Sequence, residues 1–322
     1  MAEHIEWGEG VVRATRELTS DIRLIEIAPA GPFIPPSPGS HINVGVRIGD
    51  RSDVRCYSMV GPCAEGFYQI AVKRLPNSRG GSAYMWRLAQ GARVSISAPS
   101  NHFELGLGRP DYLLLAGGIG ITPIFSHALA LARAGAHFRL LYACRGRGDA
   151  ALAQELKCEI GERLQLFVSA DGTRIDMSAE IARLDPEGEF YVCGPIGMLQ
   201  DARRAWNESG RPIERLRFET FGNSGRRPSV AFTAHIPRLG KDIAVGADQS
   251  LLEALEAAGV EMIFDCRRGE CGLCALPILS VEGELDHRDV FFSDAEKAAN
   301  AKLCTCVSRV YGDSITLDTA DR

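Results

Sequence analysis

Residues 111 to about 221 contain short apolar runs that alternate with segments of helical periodicity. The runs YLLLA, FRLLYAC, LQLFVS and EFYVCG have the length and composition of buried strands, and helical patterns such as PIFSHALALARAG follow them. Consecutive parallel strands need a crossover connection, which is usually a helix. This stretch is therefore expected to form a parallel sheet with helices on its faces.

The regions on either side have different patterns. Before about residue 108, β-type runs such as HINVGVRI, YQIAVKR and ARVSISA are separated by turn-rich segments, which is typical of a small antiparallel barrel or sandwich. The polar, glycine-rich GNSGRRPS (222–229) is interpreted as a linker. After it, VAFTAHI and KDIAV are predicted to form a hairpin, and SLLEALEAA to form a short helix that Gly259 stops.

Composition argues against several classes of protein. With 45% apolar and 24% charged residues, the chain of 322 residues has the profile of a soluble globular protein of two or three domains. A net charge of −5 without blocks of like charge gives no electrostatic argument for nucleic acid or an anionic membrane. The uncharged stretch Tyr112 to Ala132 is nearly long enough to span a bilayer, but its GGIGITP favours a strand, a glycine turn and a helix. The start, MAEHIEWGEG, is not a signal peptide, so a reducing, cytoplasmic compartment is expected.

Three of the 10 cysteines are packed into CRRGECGLC (266–274). Cys266, Cys271 and Cys274 have the spacing C-x4-C-x2-C, which plant-type [2Fe–2S] ferredoxins use together with a fourth cysteine downstream. Glycines in the loop would let backbone amides approach the sulfides and donate hydrogen bonds to them. A structural zinc site is the alternative, although such sites usually combine two close pairs of ligands. A disulfide is disfavoured in a reducing compartment.

The fourth thiolate is either Cys304 or Cys306, in KLCTCVSRV. The two cysteines alternate, so on a strand they would point to the same face, and spacing does not decide between them. TCVSR resembles the segment around the last ligand of the ferredoxin family, which implies Cys306. We further hypothesise that Arg267, Arg268 and Glu270 of the loop shape the surface that an electron acceptor meets.

Glycines directly follow the first buried strand of the sheet, in GGIGITP (117–123). The segment is not the Rossmann fingerprint, because it lacks G-x-G-x-x-G and the acid about twenty residues later. Thr122 and Pro123 are predicted as the N-cap and first residue of a helix, whose N-terminus favours a pyrophosphate. A strand–helix turn without a ligand is the alternative. The candidate nucleotide-binding residues here are Gly117, Gly118, Gly120, Thr122 and Pro123.

A second strand of the same sheet ends in YVCGP (191–195). Since ligands bind beyond the carboxyl ends of parallel strands, Cys193, Gly194 and Pro195 are expected at the same crevice. Cys193 is a candidate contact for a nicotinamide, and a buried cysteine at a strand end is an equally good interpretation.

The loop CRGRGD (144–149) follows the strand where an adenosine ribose should lie. Arg145 and Arg147 would suit a 2′-phosphate and hence NADPH. Asp149 would instead cap the next helix or bind ribose hydroxyls. The sequence shows neither a Ser–His–Asp array nor a pair of carboxylates, the groups that would indicate acid–base catalysis.

Together, GGIGITP and YVCGP resemble the signature pair of the nucleotide domain in the ferredoxin–NADP reductase superfamily. RCYS (55–58) is similar to the R-x-Y-S flavin motif of that superfamily, and RGGS (79–82) to its phosphate segment. With the iron–sulfur domain placed last, the whole chain resembles the phthalate dioxygenase reductase and vanillate O-demethylase reductase family. AVKR (71–74), FETFG (218–222) and DHRD (286–289) belong to the same resemblance.

The resemblance implies a multidomain fold. It predicts an antiparallel β-barrel flavin domain over residues 1–108, an α/β parallel-sheet nucleotide domain over 109–225 and an α+β ferredoxin domain of the β-grasp type over 230–322.

The resemblance also implies roles for individual residues. Arg55, Tyr57 and Ser58 are expected to hold the flavin ring, with the Tyr57 ring against the isoalloxazine and Arg55 at a phosphate or polar ring edge. Phe221 is expected to lie against flavin or nicotinamide, with core packing as the alternative. The remaining candidate flavin-binding residues are Val72, Arg74, Arg79, Gly80, Gly81 and Ser82.

The function implied is that of an NADH-dependent reductase component of a Rieske-type aromatic-ring oxygenase or O-demethylase. Its expected cofactors are FMN and a [2Fe–2S] cluster, with NADH as donor and NADPH left open, and a monomer is expected. Cys193 and Phe221 are the expected contacts at the reacting rings. Three alternatives stay open: a reductase for a di-iron hydroxylase or cytochrome, a non-catalytic ferredoxin-type carrier, and a zinc-bound structural module.

Overall fold

The computed structural model describes residues 6–49, 51–61, 66–75, 80–221 and 227–319. The chain divides into two compact units, residues 3–219 and 220–322. The first unit contains an antiparallel sheet followed by a parallel sheet, and the second contains a mixed sheet. The predicted multidomain fold class is confirmed, whereas the domain boundaries near residues 108 and 225 stay predictions.

Over the described residues, the first sheet has six strands and is antiparallel. Its elements are β1 (Trp7–Glu17), β2 (Ile22–Pro29), β3 (His41–Ile48), β4 (Arg51–Ser58), β5 (Tyr68–Lys73), α1 (Gly81–Arg87) and β6 (Arg93–Ser97). The strand order is β4-β3-β6-β1-β2-β5, and a bridge between Met59 and Ile70 joins the ends of the two outer strands. The sheet therefore curls towards a barrel, with alternate residues of β3 buried inside it.

In the part of the chain that the structure describes, the second sheet has five parallel strands in the order β11-β10-β7-β8-β9. Its elements are β7 (Tyr112–Gly117), α2 (Ile121–Arg133), β8 (Phe138–Cys144), α3 (Ala153–Ile160), β9 (Leu164–Val168), α4 (Met177–Ala182), β10 (Glu189–Cys193), α5 (Ile196–Glu208) and β11 (Leu216–Glu219). All six residues of β7 are buried, as in a parallel strand that is covered on both faces. The uncharged stretch after residue 111 is a strand, a turn and a helix, as predicted. Among the described helices, none has the length and apolar character needed to cross a membrane.

The start of α2 differs from the prediction. The N-cap position is held by Gly120, without a side-chain cap, and the turn Gly118–Gly120 already has 3-10 helical backbone. Thr122 lies inside the first turn, where its hydroxyl donates to the carbonyl of Ile119 at 3.1 Å. The predicted N-cap role of Thr122 and the first-residue role of Pro123 are therefore wrong, because the glycine turn starts the helical geometry earlier than a serine- or threonine-type cap would.

Within the described residues, the third sheet has five strands in the order β13-β12-β16-β14-β15. Its elements are β12 (Phe232–Ile236), β13 (Lys241–Val245), α6 (Leu251–Ala257), β14 (Ala275–Asp286), α7 (Asp294–Ala299), β15 (Lys302–Cys304) and β16 (Arg309–Leu317). The predicted hairpin is formed by β12 and β13, while β12 and β16 are parallel. After α6 the chain takes a left-handed conformation at Gly259 (φ +71°), as the predicted helix stop requires.

Candidate functional site

Arg55 of β4 lies on the start of α1. Its guanidinium pairs with Asp53 at 2.8 Å, and its Nη2 is buried without a hydrogen-bond partner in the described part of the chain. An ideal Cβ on Gly81 would lie 2.6 Å from Arg55 Nε, so only glycine lets the guanidinium pack on this turn. Since buried donors are nearly always satisfied, the unpartnered nitrogen fits the phosphate group predicted at this place.

The turn before α1 is built for close packing. Gly80 has a left-handed backbone (φ +98°), and an ideal Cβ on it would lie 2.6 Å from the Ile48 side chain. The hydroxyl of Ser82 accepts a hydrogen bond from the Leu75 N–H at 3.3 Å. Arg79, the remaining predicted residue of this turn, lies outside the described residues.

Val72 and Arg74 have contacts that need no cofactor. Val72 is in the barrel core, and its carbonyl accepts a hydrogen bond from the Trp86 indole at 3.0 Å. The Arg74 guanidinium lies over the Trp86 ring, 4.6 Å from its centroid. Their predicted roles at the flavin stay predictions.

The end of β4 meets the parallel sheet. Tyr57 packs against the barrel core, and burial raises the pKa of its phenol, which keeps the ring neutral. The next residue, Ser58, is buried and donates a hydrogen bond to Glu219 Oε2 at 2.8 Å. Glu219 is the last residue of β11 and only 1% exposed. The predicted flavin strand therefore ends at the carboxyl edge of the predicted nucleotide sheet.

Cys193 lies at that same edge. In the registers of β10 with its two neighbours, Cys193 is opposite Ala116 on one side and Glu219 on the other, and it is fully buried. The structure thus brings together Ser58, Cys193 and Glu219. Of these, Glu219 was missed by the sequence analysis, although it lies inside the quoted FETFG.

The two glycine turns of the nucleotide sheet touch each other. An ideal Cβ on Gly117 would lie 2.6 Å from Pro195 Cδ, and one on Gly194 would lie 3.1 Å from the Gly117 Cα. A Cβ on Gly120 would overlap the carbonyl oxygen of Cys193. Gly118 has φ +53°, which favours glycine. The turns present bare backbone at the strand ends, which fits a dinucleotide.

The loop after β8 is closed by its own side chains. Asp149 accepts a hydrogen bond from the Gly146 N–H at 2.9 Å, and Arg147 pairs with Asp171 at 2.7 Å. Arg145 is exposed and makes no ion pair among the described residues. Asp149 therefore caps its own turn rather than the next helix, which has Leu152 at its N-cap and no side-chain cap, and binding of ribose hydroxyls stays a prediction.

Phe221 follows β11 by two positions, belongs to the second compact unit and is half-buried. Its predicted contact with a ring stays a prediction. Phe218, on β11, lies under the Arg203 guanidinium at 5.6 Å from its ring centroid.

The cysteine loop directs backbone amides at sulfur. The Cys266 sulfur accepts hydrogen bonds at 3.4 Å from the N–H groups of Arg268, Glu270 and Cys271. Left-handed backbone at Arg267, Gly269 and Gly272 makes this convergence possible. The predicted approach of amides to the sulfur centre agrees with this geometry.

The sulfurs of Cys274, Cys304 and Cys306 form a second group. Cys274 accepts hydrogen bonds from the thiols of Cys304 and Cys306, which hold the pKa of Cys274 below its ordinary value. The N–H of Gly269 donates to the Cys306 sulfur. Cys304 ends β15, whereas Cys306 lies in the turn that follows, so the two do not share a strand although both thiols contact Cys274.

The donor set suits a two-iron cluster. A [2Fe–2S] cluster distributes four thiolates over two irons. Cys266, Cys271, Cys274 and Cys306 are candidates for these thiolates, and the amides aimed at Cys266 and Cys306 would stabilise their negative charge.

The charged residues of the loop are mostly engaged within it. Arg268 is only 7% exposed and pairs with Glu270 at 3.5 Å. Glu270 also accepts a hydrogen bond from the Thr220 N–H at 2.8 Å. Arg267 is more exposed and pairs with Glu256 at 2.9 Å. The hypothesis that both arginines shape an exterior surface is therefore wrong for Arg268.

Two family descriptions match the chain. An oxidoreductase NAD-binding domain matches residues 114–204, and a 2Fe–2S iron-sulfur cluster binding domain matches residues 235–311. They coincide with the parallel sheet and the cysteine loop. The predicted nucleotide and iron–sulfur domains are confirmed.

Similar proteins span almost the whole chain. A tetrachlorobenzoquinone reductase of Sphingobium chlorophenolicum is 38% identical, covering 96% of this chain and 96% of that protein. The beta subunit of a heme-dependent oxidative N-demethylase of Ectopseudomonas mendocina is 37% identical, covering 95% and 97%. The solved structure of phthalate dioxygenase reductase, described as modular for electron transfer from pyridine nucleotides to [2Fe–2S], has a TM-score of 0.78 and 30% identity, covering 97% and 98%. The chain therefore belongs to the phthalate dioxygenase reductase-like family of oxygenase reductases, which are oxidoreductases with NAD-binding and 2Fe–2S domains.

Proposed function

We propose that this chain carries electrons from NADH through FMN to a [2Fe–2S] cluster and on to a Rieske-type oxygenase. NADH gives up two electrons as a hydride and the cluster takes one at a time, and a flavin is the group that does both. The observation that carries the proposal is the 2.8 Å hydrogen bond from Ser58 to Glu219. It joins the predicted flavin strand to the sheet edge where the nicotinamide is expected.

Glu219 and Ser58 have distinct roles in this proposal. As hydride leaves, positive charge develops on the nicotinamide, and a buried carboxylate near that ring stabilises the charge more than solvent does. Glu219 also fixes the orientation of the hydroxyl of Ser58, which follows directly after Tyr57 in the predicted flavin motif. Cys193 lies opposite Glu219 in the register of β10 with β11.

The donor in this proposal is NADH rather than NADPH. Discrimination in favour of a 2′-phosphate needs an available guanidinium. Arg147 already pairs with Asp171 at 2.7 Å, and Asp149 adds negative charge to the same loop. Arg145 alone is left for a phosphate, so NADPH is expected to be the poorer donor.

The first experiment compares Glu219→Gln and Ser58→Ala with the wild-type protein by stopped-flow reduction with NADH. Loss of the carboxylate is expected to slow flavin reduction by about 100-fold, and loss of the hydroxyl by about 10-fold. The control is Glu189→Gln, a buried carboxylate at the opposite edge of the same sheet, which hydrogen-bonds Tyr191 at 2.7 Å. Unchanged rates in both site variants would contradict the proposed site.

The acceptor needs a separate test, because the named relatives include a quinone reductase and a subunit of a heme-dependent demethylase. The NADH-reduced protein is mixed with a purified Rieske-type oxygenase and, in parallel, with a heme-dependent demethylase. Faster oxidation by the Rieske protein is the expected result. Oxidation by the heme protein alone would contradict the proposed acceptor while leaving the electron path intact.

Sedimentation at about 35 kDa, from a chain mass of 34.9 kDa, is expected for the proposed monomer.

A further inference from the structure

Two consecutive polar residues of α2, Ser126 and His127, are buried where the helix packs on the barrel and on the segment that follows it. Ser126 is 8% exposed and His127 is fully buried. Neither belongs to the sites described above. Buried polar side chains cost free energy unless their hydrogen bonds are made, so their partners are informative.

Ser126 is bonded to the segment directly after the RCYS motif. Its hydroxyl accepts a hydrogen bond from the Gly61 N–H at 3.0 Å and donates one to the Met59 carbonyl at 3.1 Å. One side chain thus satisfies a donor and an acceptor of the backbone that leaves β4. The residue before this segment is Ser58, which is bonded to Glu219.

His127 is bonded to the segment that connects the two sheets. Its Nε2 lies 3.0 Å from the carbonyl oxygen of Phe103. Since a carbonyl only accepts, Nε2 carries the proton, and the buried Nδ1 has no hydrogen-bond partner in the described part of the chain. The imidazole also packs among aromatic rings, 4.8 Å from Phe103 and 5.0 Å from Tyr191, centroid to centroid.

Backbone packs tightly around this ring. An ideal Cβ on Gly39, in the loop before β3, would lie 2.8 Å from His127 Nε2 and would overlap the Phe103 carbonyl. The loop before β3, the connecting segment and α2 therefore meet in close contact at His127.

The position of the pair along α2 gives it a function. The helix begins at Ile121, immediately after the glycine turn, and Ser126 is five residues further, a rise of roughly 7.5 Å. A rigid piece of helix thus separates the predicted nucleotide turn from bonds to the predicted flavin segment. We propose that Ser126 and His127 are positioning residues that set the distance between the bound nicotinamide and the flavin. This role rests on the proposed function.

The magnitude of the effect follows from the demands of hydride transfer. NADH loses a hydride, two electrons and one proton, to become NAD⁺, and the flavin takes up that hydride. The reacting atoms must come within about 3–3.5 Å, and a misplacement of about 1 Å costs on the order of 100-fold in rate. A small shift of α2 against the barrel is therefore visible in the rate, even when the fold is kept.

The fold is expected to survive removal of either side chain, because other bonds hold the connecting segment. Tyr191 accepts a hydrogen bond from the Gly106 N–H at 2.9 Å and donates one to Glu189 at 2.7 Å. Tyr112 donates to the Gly106 carbonyl at 2.9 Å. These bonds involve the start of β7 and β10, away from the glycine turns.

The test uses Ser126→Ala and His127→Phe in the full-length holoprotein, with Ser126→Thr and His127→Gln as conservative partners. Stopped-flow reduction by NADH gives the limiting rate and the apparent Kd. The long-wavelength charge-transfer absorbance of the reduced flavin with NAD⁺ reports how closely the two rings stack. We expect the limiting rate to fall 10- to 100-fold in the first two variants, with Kd within about threefold and a weaker charge-transfer band. The conservative side chains, a threonine hydroxyl and a glutamine amide, each retain a hydrogen-bond donor, so S126T and H127Q should recover most of the rate.

Two controls separate positioning from general stability. Ser209→Ala removes a serine hydroxyl that bonds a helix carbonyl at 2.6 Å at the end of α5, and His235→Gln removes a partly exposed imidazole in the other unit. Both should keep the wild-type rate. Wild-type rates in Ser126→Ala and His127→Phe, or losses that S126T and H127Q fail to recover, would overturn the positioning role. Absence of any reduction of the wild-type protein by NADH would instead contradict the proposed function itself.

Discussion

At the scale of single residues, the two cysteines near the end of the chain have different surroundings. Both belong to one buried cluster with Cys274 and Phe292, in which Cys304 is fully buried at the end of β15. Cys306 lies in the following turn and receives the Gly269 N–H from the cysteine loop. A thiolate ligand is stabilised by such a backbone donor, and this donor is what favours Cys306 over Cys304.

We therefore predict different results for Cys306→Ala and Cys304→Ala. The first should abolish the visible absorbance of the cluster and the iron, and the second should keep about two irons per chain. Iron analysis and absorbance spectra of the anaerobically purified variants make the comparison. Retention of iron by Cys306→Ala together with its loss from Cys304→Ala would reverse the assignment.

His127 gives a prediction about pH. Burial penalises its imidazolium and lowers its pKa from the ordinary 6.5 to about 4, against a smaller opposite effect of the Phe103 and Pro38 backbone. Between pH 4 and 6.5, His127 therefore binds a proton in the unfolded chain but not in the folded chain. Stability from this residue is therefore complete above pH 6.5 and is lost as the pH falls towards 4, by roughly 2–3 kcal/mol at pH 4.5.

His127→Gln has no proton to bind, so its unfolding midpoint in urea should depend less on pH than that of the wild-type protein between pH 4.5 and 7. The control Ser209→Ala removes no ionisable group, only a hydroxyl that bonds the Trp206 carbonyl, and should keep the wild-type slope. Equal slopes for wild-type and His127→Gln would show that His127 is not buried as a neutral ring.

At the scale of elements, the strand–helix turns carry the candidate nucleotide site. Gly120 has an ordinary right-handed backbone (φ −60°), so its need for glycine comes from contact alone. A Cβ there would overlap the Cys193 carbonyl, which is backbone and cannot rotate away. Either β10 or the start of α2 would have to move.

For Gly120→Ala we predict a loss of about 1–3 kcal/mol in stability and weaker binding of NADH. Gly31→Ala is the matched control, because an added Cβ there meets no atom within 4 Å. Its stability should change by less than about 0.5 kcal/mol. Thermal unfolding and NADH titration of both variants make the comparison, and equal behaviour of the two would argue against close approach of the turns.

Elements with a strong pattern were predictable, and those decided by distant contacts were not. β7 was recognisable because a strand covered on both faces is apolar throughout. β11 was missed, since its four residues, LRFE, include two charges and show no clear pattern. The partnership of Glu219 with Ser58 joins residues 161 positions apart, which local patterns do not report. The helix start at Gly120 was missed because a glycine turn without a side-chain cap leaves no capping signal.

At the scale of the whole molecule, the residues predicted for the two kinds of electron chemistry fall in different compact units. The candidate flavin and nucleotide residues up to Glu219 lie in the first unit, and the candidate cluster cysteines lie in the second. Two-electron chemistry is thus expected in residues 3–219 and one-electron chemistry in residues 220–322.

This separation predicts the behaviour of a protein without its cluster. Cys306→Ala should still reduce ferricyanide with NADH at close to the wild-type rate, because the flavin can supply that acceptor directly. Its reduction of a Rieske-type oxygenase should fall to the background level. Parallel loss of both activities, in a variant that keeps its flavin, would argue against separate sites.

The central claim is the path from NADH through flavin to a [2Fe–2S] cluster, and an anaerobic titration of the wild-type protein with NADH tests it most directly. Visible spectra recorded along the titration should show uptake of about three electrons per chain, two in the flavin and one in the cluster. Uptake of two electrons with no change in cluster absorbance, or no reduction at all, would contradict the account.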